Sequence, residues 1–346
     1  MESYPQINTS ILSQVGLNTI NTMKNIFDMI LKAFSWKYTP IVFIGIFVLM
    51  CSTSYAKPKP RADSSTIAHY NLTTDTWIVS QNINKTRPLA SMTKLMTAMV
   101  ALDYSKDLNR KLVLKTRVGS HLPIKEFTRN ELFHAMLIRS DNAAAETIAD
   151  DYPNGRSAFI KAMNAKAKAM NLSSTEFKDP TGLSGSNLSS GTDMVDLVKA
   201  ASNYDVIRRT SIKKQTIIET HYKTKIRSIV LENTNKPLLF QFDDIVISKT
   251  GFTNSAGWCV ALLVEHWTKR PQQEPNAIDK FLSYFDGEPD RNIARGDLEQ
   301  HVIIIMGAKN KSERIAEVQK LMYNHINDQQ ISQWNYDWKI DEKSKE

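Results

Sequence analysis

The sequence predicts an α/β domain whose sheet is assembled from both of its ends, and three observations carry that prediction. The stretch "TIAHYNLTTDTWIVSQN" predicts two strands around a polar turn at Thr73–Asp75. Three strongly apolar runs near the other end, "DIVISKTG", "GWCVALLVE" and "HVIIIMGA", predict further strands. Between them lies a block with helical periodicity and helix caps. The 346 residues are 42% hydrophobic and 23% charged, an ordinary globular composition with ample material for a core.

Residues 1–56 form an N-terminal extension. No charge occurs from Tyr38 to Ala56, but the strongly apolar part, Ile41 to Met50, is about ten residues against about 20 for a membrane span. With Ser54 and Ala56 following as small residues, this predicts a secretory leader, with an uncleaved anchor as the alternative. Translation from Met23 would give a shorter leader, and Met50 before Cys51 disfavours a lipoprotein. The domain after Ala56 is expected to be exported, to the periplasm or an equivalent extracytoplasmic space.

The Pro/Lys stretch "KPKPRADSS" (57–65) reads as a linker and residues 66–328 as the domain. After Pro88 a helix carries Leu95, Met99 and Leu102 on one face. "FTRNELFHAMLIRS" starts a second helix with a capping box, Thr128 with Glu131. "NAAAETIADDY" and "SAFIKAMNAKAKAM" predict two more, "DPTGLSGSNLSSGT" a long Gly/Ser loop, and "DMVDLVKAA" another helix. "QTIIET" and "TKIRSIVL" read as strands, and "SERIAEVQKLMYNHI" as a closing helix. The Pro-rich, charged residues 267–299 read as a surface insertion, and 329–346 as a polar tail.

Several chemistries are disfavoured. The formal charge is +8, but no run of five or more Lys/Arg occurs, so no nucleic-acid partner is expected; a mildly basic surface suits an anionic polymer such as a cell wall. Cys51 and Cys259 are the only cysteines, and Cys259 sits in an apolar run, which predicts a buried core residue rather than a disulfide. With no H-x-H, H-E-x-x-H or G-x-S-x-G, neither a zinc site nor an α/β-hydrolase nucleophile is expected, and no cofactor.

Ser-x-x-Lys occurs three times: Ser54/Lys57, Ser91/Lys94 and Ser211/Lys214. The first straddles the expected leader cut. In "PLASMTKLMT", Lys94 lies one turn after Ser91, on the same helix face. A serine hydroxyl needs a base, and a lysine base at neutral pH needs its pKa lowered by roughly 3 units. Desolvation plus a second cation is the expected source. Lys249 is that candidate: "VISKTGFTN" puts it on an apolar strand with Thr250, suited to a substrate carboxylate, and Gly251, which permits close approach. In "RSDNAAAE", Ser140 and Asn142 stand between two helices; Ser140 can relay a proton, and Asn142 can hydrogen-bond a substrate backbone or steady Lys94.

In this order, Ser91-x-x-Lys94, Ser140-Asp141-Asn142 and Lys249-Thr250-Gly251 resemble the signature shared by penicillin-binding proteins and class A β-lactamases. Ser211/Lys214 falls after the second motif and fails on order. "ASMTKLMTAMVALD", "YPNGRSAFIKAMNAKAKAMNL", "DPTGLS" and "KTGFTNSAGWC" are similar to the low-molecular-mass penicillin-binding D-alanyl-D-alanine peptidases, most of all to their endopeptidase branch. The resemblance implies a penicilloyl-serine-transferase fold, with a mainly antiparallel five-stranded sheet flanked by helices. It implies Ser91 as acylated nucleophile, Lys94 as its base, Ser140 and Asn142 as second motif, and Lys249 and Thr250 as carboxylate binders. The backbone N–H groups of Ser91 and Phe252 would form the oxyanion hole.

The function so implied is cleavage of D-alanyl bonds in peptidoglycan stem peptides, as a crosslink endopeptidase or a carboxypeptidase, with β-lactams as covalent inhibitors. A class A β-lactamase is the alternative enzyme, with Glu176 as a candidate for activating water, but "STEFKDPTGL" lacks E-x-x-L-N. A non-catalytic wall-binding or β-lactam-sensing domain is the alternative from another class. Membrane association would run through residues 38–56.

Overall fold

A computed structural model of the chain describes residues 65–116, 119–222, 225–269 and 295–325. The expected leader or anchor with Cys51, the linker up to residue 64, the Ser54/Lys57 pair, residues 270–294 of the expected insertion and the polar tail lie outside the described residues. Among the described residues no helix is long and apolar enough to cross a membrane.

The domain is layered around a five-stranded sheet. Its strands are β1 (Thr66–Asn71), β2 (Thr76–Gln81), β9 (Ile245–Thr253), β10 (Gly257–Lys269) and β11 (Arg295–Ala308), in the order β2-β1-β11-β10-β9, every neighbouring pair antiparallel. Both chain ends of the domain thus contribute to one sheet, as the apolar runs predict. In β10 and β11, Cys259 to Val264 and Val302 to Met306 are buried without a break, because both faces of the sheet are covered. The period-2 alternation still sorts them. Ala261, Leu263, Val302, Ile304 and Met306 pack on the helical block, whereas Val260, Leu262, Ile303 and Ile305 pack on Leu238, Leu239, Val318, Leu321 and Met322.

The helical block contains α1 (Lys94–Tyr104), α2 (Arg129–Ile138), α3 (Asn142–Asp150), α4 (Gly155–Ala169), α5 (Gly191–Ala201) and α6 (Asp205–Ser211). The other face carries α7 (Lys236–Gln241) and α8 (Lys311–His325). Short strand pairs join β3 (Arg87–Pro88) to β6 (Leu188–Ser189) and β4 (Lys111–Val113) to β5 (Glu126–Thr128). The capping box of α2 forms as expected: Glu131 N–H donates to Thr128 Oγ1 at 3.2 Å, and Thr128 N–H donates to Glu131 at 2.7 Å.

Three differences from the sequence reading have physical reasons. Helix α1 is buried all round from Lys94 to Leu102 rather than on one stripe, since it runs through the middle of the domain. Strands β7 (Gln215–Tyr222) and β8 (Lys225–Glu232) form a hairpin separate from the main sheet, with Ile218 and Leu231 inward and the paired Ile217 and Val230 exposed. Finally, β10 and β11 run on into the expected insertion, where Trp267 pairs with Leu298 and Lys269 with Arg295. Continued backbone pairing outweighs the local composition that suggested a loop. Helices α6 and α7 were not anticipated; they are short, and Pro237 lies in the first turn of α7.

Candidate active site

Ser91 lies in a 3-10 turn, Ala90–Thr93, that leads directly into α1. Ala90 just before it has φ +46°, a left-handed conformation that costs an alanine about 1–2 kcal/mol. Two close approaches hold this turn. A Cβ on Gly251 of β9 would stand 2.9 Å from the Ser91 nitrogen and 3.2 Å from Leu89 O. A Cβ on Gly182, whose φ is +84°, would stand 1.7 Å from Ala90 O. Only glycine lets the strand edge and the 179–184 loop close on the nucleophile from two sides.

Lys94 is wholly buried, and its ammonium nitrogen meets three oxygens: Ser91 Oγ at 2.9 Å, Asn142 Oδ1 at 2.7 Å and Thr181 O at 2.7 Å. Burial lowers its pKa from 10.5 to about 7, against the attraction of Asp179, Asp141 and Glu146, which raises it. That fall matches what a lysine base requires, and burial is its largest cause, as the sequence reading expects of desolvation. Lys249 and Lys94 repel each other, and Lys249 is itself buried and lowered well below the usual lysine range by burial, then Lys94, then Arg314.

The geometry also gives the free base a direction. A neutral amine has two N–H donors and one lone pair. Asn142 Oδ1 and Thr181 O can only accept, so they take the two N–H groups and leave the lone pair facing the Ser91 hydroxyl. Asn142 starts α3, capped by Asp141, whose Oδ1 accepts from Ala144 N–H at 2.9 Å. The other Asp141 oxygen accepts from Ser120 Oγ at 2.7 Å and His121 N–H at 3.0 Å. Thr181 is held by Asp179, whose Oδ1 accepts from the N–H groups of Thr181 and Gly182 at 2.6 Å each, and whose Oδ2 accepts from Ser184 N–H at 2.8 Å.

On the opposite side, Lys249 Nζ donates to Ser140 Oγ at 3.0 Å and to Thr250 O at 2.8 Å. Ser140 has φ +65°, so the turn between α2 and α3 is strained where it presents this hydroxyl. Thr250 Oγ1 donates to Thr234 Oγ1 at 2.6 Å. Strand β9 is an edge of the sheet, so its outer side is available to an extended peptide. A cleft of about 600 Å³ opens there, lined by Ser91, Ser140, Thr250, Gly251 and Phe252 among others. Phe252 is half-exposed and packs against Trp258, their rings 4.5 Å apart.

The eight candidate site residues therefore come together: Ser91, Ser140, Thr250, Gly251 and Phe252 line the cleft, and Lys94, Asn142 and Lys249 join them through the hydrogen bonds to Ser91, Lys94 and Ser140. The remaining Ser-x-x-Lys pair does not join them. Ser211 is buried and accepts from Ser248 N–H at 3.3 Å, while Lys214 is at the surface beside Asp243. Glu176 pairs with Lys178 at the surface and does not line the cleft. Among the described residues no cluster of His, Cys, Asp or Glu could hold a metal ion. Cys259 is buried as expected, and burial pushes its thiol up to about 11.

Sequence reasoning missed Thr181 and Asp179 as parts of the site, because a backbone carbonyl leaves no signature in side-chain spacing. It also missed Arg314 on α8. This guanidinium is buried at the cleft, its Nε and Nη2 lack partners, and burial lowers it to about 10. A lone arginine in "KNKSERIAEV" reads as a solvated helix residue; only the packing of α8 turns it inward.

Comparison with known proteins agrees with this arrangement. Residues 52–268 match the peptidase family described as D-alanyl-D-alanine carboxypeptidase. The D-alanyl-D-alanine endopeptidase of Escherichia coli is 35% identical over 219 residues, 61% of this chain and 69% of that protein. The crystal structure of a Streptomyces DD-transpeptidase superposes with a TM-score of 0.61 at 22% identity, covering 76% of this chain and 97% of that one, and shows the shared fold. A penicillin-binding protein of Listeria monocytogenes, solved in its ampicillin-bound form, gives 0.57 at 25% identity over 77% of this chain and 98% of that one. With more than half of its length matched by the family's profile, the chain belongs to the D-alanyl-D-alanine carboxypeptidase family of penicillin-binding serine peptidases, and its fold is that of the penicilloyl-serine transferases.

Proposed function

We propose that this protein cleaves D-alanyl bonds of peptidoglycan stem peptides through a Ser91 acyl-enzyme, and that its main substrates are crosslinks, making it an endopeptidase. The observation that carries the chemistry is the Lys94–Ser91 contact, 2.9 Å between a desolvated lysine near neutral pKa and a hydroxyl. Lys94 takes the Ser91 proton as Oγ attacks the D-alanyl carbonyl carbon. The N–H groups of Ser91 and Phe252 receive the oxyanion where β9 closes on the 3-10 turn. The C–N bond then breaks as the proton taken up by Lys94 passes by way of Ser140, beside Lys249, to the leaving nitrogen, which returns Lys94 to its neutral form. Water then attacks the ester, Lys94 accepts its proton, and that proton passes to Ser91 Oγ as the ester C–O bond breaks and the acid is released.

Thr250 Oγ1 and Arg314, whose Nε and Nη2 have no partner, would hold the carboxylate next to the scissile bond, in the field of Lys249. β-Lactams would acylate Ser91 in the same way and remain attached. The endopeptidase preference rests on the similarity to the Escherichia coli enzyme and on a cleft of about 600 Å³, within the roughly 300–1,000 Å³ range of sites for larger ligands and far larger than alanine. Carboxypeptidase action, removing a terminal D-alanine, is the second reading, favoured by the description of the matching family. Work outside the cytoplasm, with a cleaved leader or a membrane anchor, is part of the proposal and rests on residues 38–56.

The test compares the chain from Lys57 onward with its Ser91→Ala variant, first with a fluorescent penicillin and then with crosslinked muropeptides. Labelling lost in the variant, with crosslinks cut only by the parent, is the expected result. Labelling with release of terminal D-alanine alone would favour the carboxypeptidase. Absence of labelling in the folded parent would overturn the acyl-enzyme.

A further inference from the structure

Resting on the peptidase reading, we propose that the cleft beyond Thr250 contains a second anion subsite, built on Arg139 and Lys236. It selects leaving groups that carry another carboxylate besides the one next to the scissile bond.

The wall of this subsite comes from three segments that are tied together. Thr234 N–H donates to Ile138 O at 3.1 Å, which joins the end of α2, and hence Arg139, to the loop after β8. Thr250 Oγ1 donates to Thr234 Oγ1 at 2.6 Å, and Asn235 Nδ2 donates to Ser248 Oγ at 2.9 Å, so the same loop is anchored on β9. Arg139, Glu232 and Lys236 thereby line the cleft on segments whose backbone is anchored at several points. Such pre-organisation is what makes charged contacts worth more than at an open surface.

The charges on that wall do not cancel. Glu232, the last residue of β8, is engaged by Lys236, the first residue of α7, at 2.7 Å. Lys236 is the first cause that holds the Glu232 carboxyl below its usual range, and Arg139 adds to it through space. The Arg139 guanidinium makes no hydrogen bond or ion pair of its own among the described residues. Two cations thus act on one carboxylate, and Lys311 and Arg314 add positive charge to the lining of the same cleft. If Thr250 and Arg314 take the first carboxylate of the leaving group, Arg139 is left as a cation without a side-chain partner, which a second anion on the leaving group would supply. Free D-alanine has only one carboxylate; an acidic peptide has more. This wall therefore discriminates by what lies beyond the scissile bond, while the acyl half of the substrate is read elsewhere.

The test uses two peptide substrates with the same acyl part. Their amine components each keep the carboxylate beside the scissile bond and differ only in a second carboxylate, free in one and amidated in the other. In the parent enzyme kcat/KM is expected to favour the free acid by ~10-fold, the size of a charge-assisted hydrogen bond. Arg139→Gln should bring that ratio close to one, and Glu232→Gln, which removes the competing carboxylate, should raise it. Penicillin labelling of every variant shows that the nucleophile is intact. A ratio near one in a parent that labels, or variants that shift the ratio in the same direction, would overturn the subsite and leave the peptidase reading standing. A folded parent that does not label would overturn both.

Discussion

The carbonyl oxygen of Thr181 accepts a hydrogen bond from Lys94 Nζ at 2.7 Å, across 87 positions of sequence. With Asn142 Oδ1 it consumes the two N–H groups of the neutral amine and so aims the lone pair at Ser91 Oγ. Burial supplies the basicity and these two acceptors supply the direction. A lysine base needs both.

The acylation rate should follow the deprotonation of Lys94. The base is the neutral form, so the rate of labelling by a fluorescent penicillin should rise with pH through about 7 and level off above it. Below that point it should fall ~10-fold per pH unit. A profile flat between pH 5.5 and 8 would show that Lys94 is not the group that takes the proton.

Asp179→Asn should act on the same limb. The variant removes a charge that raises the Lys94 pKa, so the acid limb should move to lower pH. Its amide cannot accept from Ser184 N–H as the carboxylate does, which loosens the loop carrying Thr181 O. A plateau rate lower by ~10- to 100-fold is therefore expected, with the shifted limb as the sign of action through Lys94 rather than simple loss of fold. An unshifted limb counts against it.

Gly251→Ala should separate the strand edge from the nucleophile. The added Cβ would meet Ala90 Cβ and Ser91 N, both at 2.9 Å, and neither is the far end of a flexible side chain. Overpacking of this kind costs about 1–3 kcal/mol of stability. The acylation rate should fall by ~100-fold or more, because both oxyanion donors are displaced. Thermal melting and labelling rates of the purified variant measure the two effects separately.

Stability should increase with pH between about 7 and 9. Lys94 in the folded protein loses its proton near 7, whereas the unfolded chain holds it until about 10.5, so in this window the unfolded state binds more protons. The slope for one such lysine is about 1.4 kcal/mol per pH unit, and Lys249, lowered in the same direction, adds to it. Above pH 9 the raised Cys259 thiol opposes the trend, since the unfolded thiol would ionise first. Urea unfolding at pH 7, 8 and 9 checks the sign, and Lys94→Met should flatten the slope.

The sequence reading reached the site because its chemistry is written in short motifs on regular elements. Thr128 and Glu131 announce the start of α2, so the polar turn that follows it, with Ser140 and Asn142, can be placed at a helix junction. The apolar run of "DIVISKTG" predicts a strand that ends at Lys249; β9 instead continues to Thr253, so Lys249 and Thr250 lie within it. The β7–β8 hairpin shows the limit of that reasoning: its residues have strand propensity, but propensity does not say which sheet a strand joins. The extension of β10 and β11 beyond residue 267 was hidden for the related reason that pairing with a partner strand overrides local polarity.

The sequence by itself determined the nucleophile and base candidates, the order of the three motifs, the helix caps and the strands that carry the core. These depend on near neighbours in the chain, on hydrogen bonds three residues apart and on periods of 2 or 3.6. Only the tertiary structure decided that Lys94 is dry enough to be a base, and that Thr181 O directs it. Only it turned Arg314 into the cleft and set Arg139 beside Glu232 on one wall. Desolvation and field direction are sums over atoms brought together from distant positions, and the identities and spacings of the residues do not contain those distances.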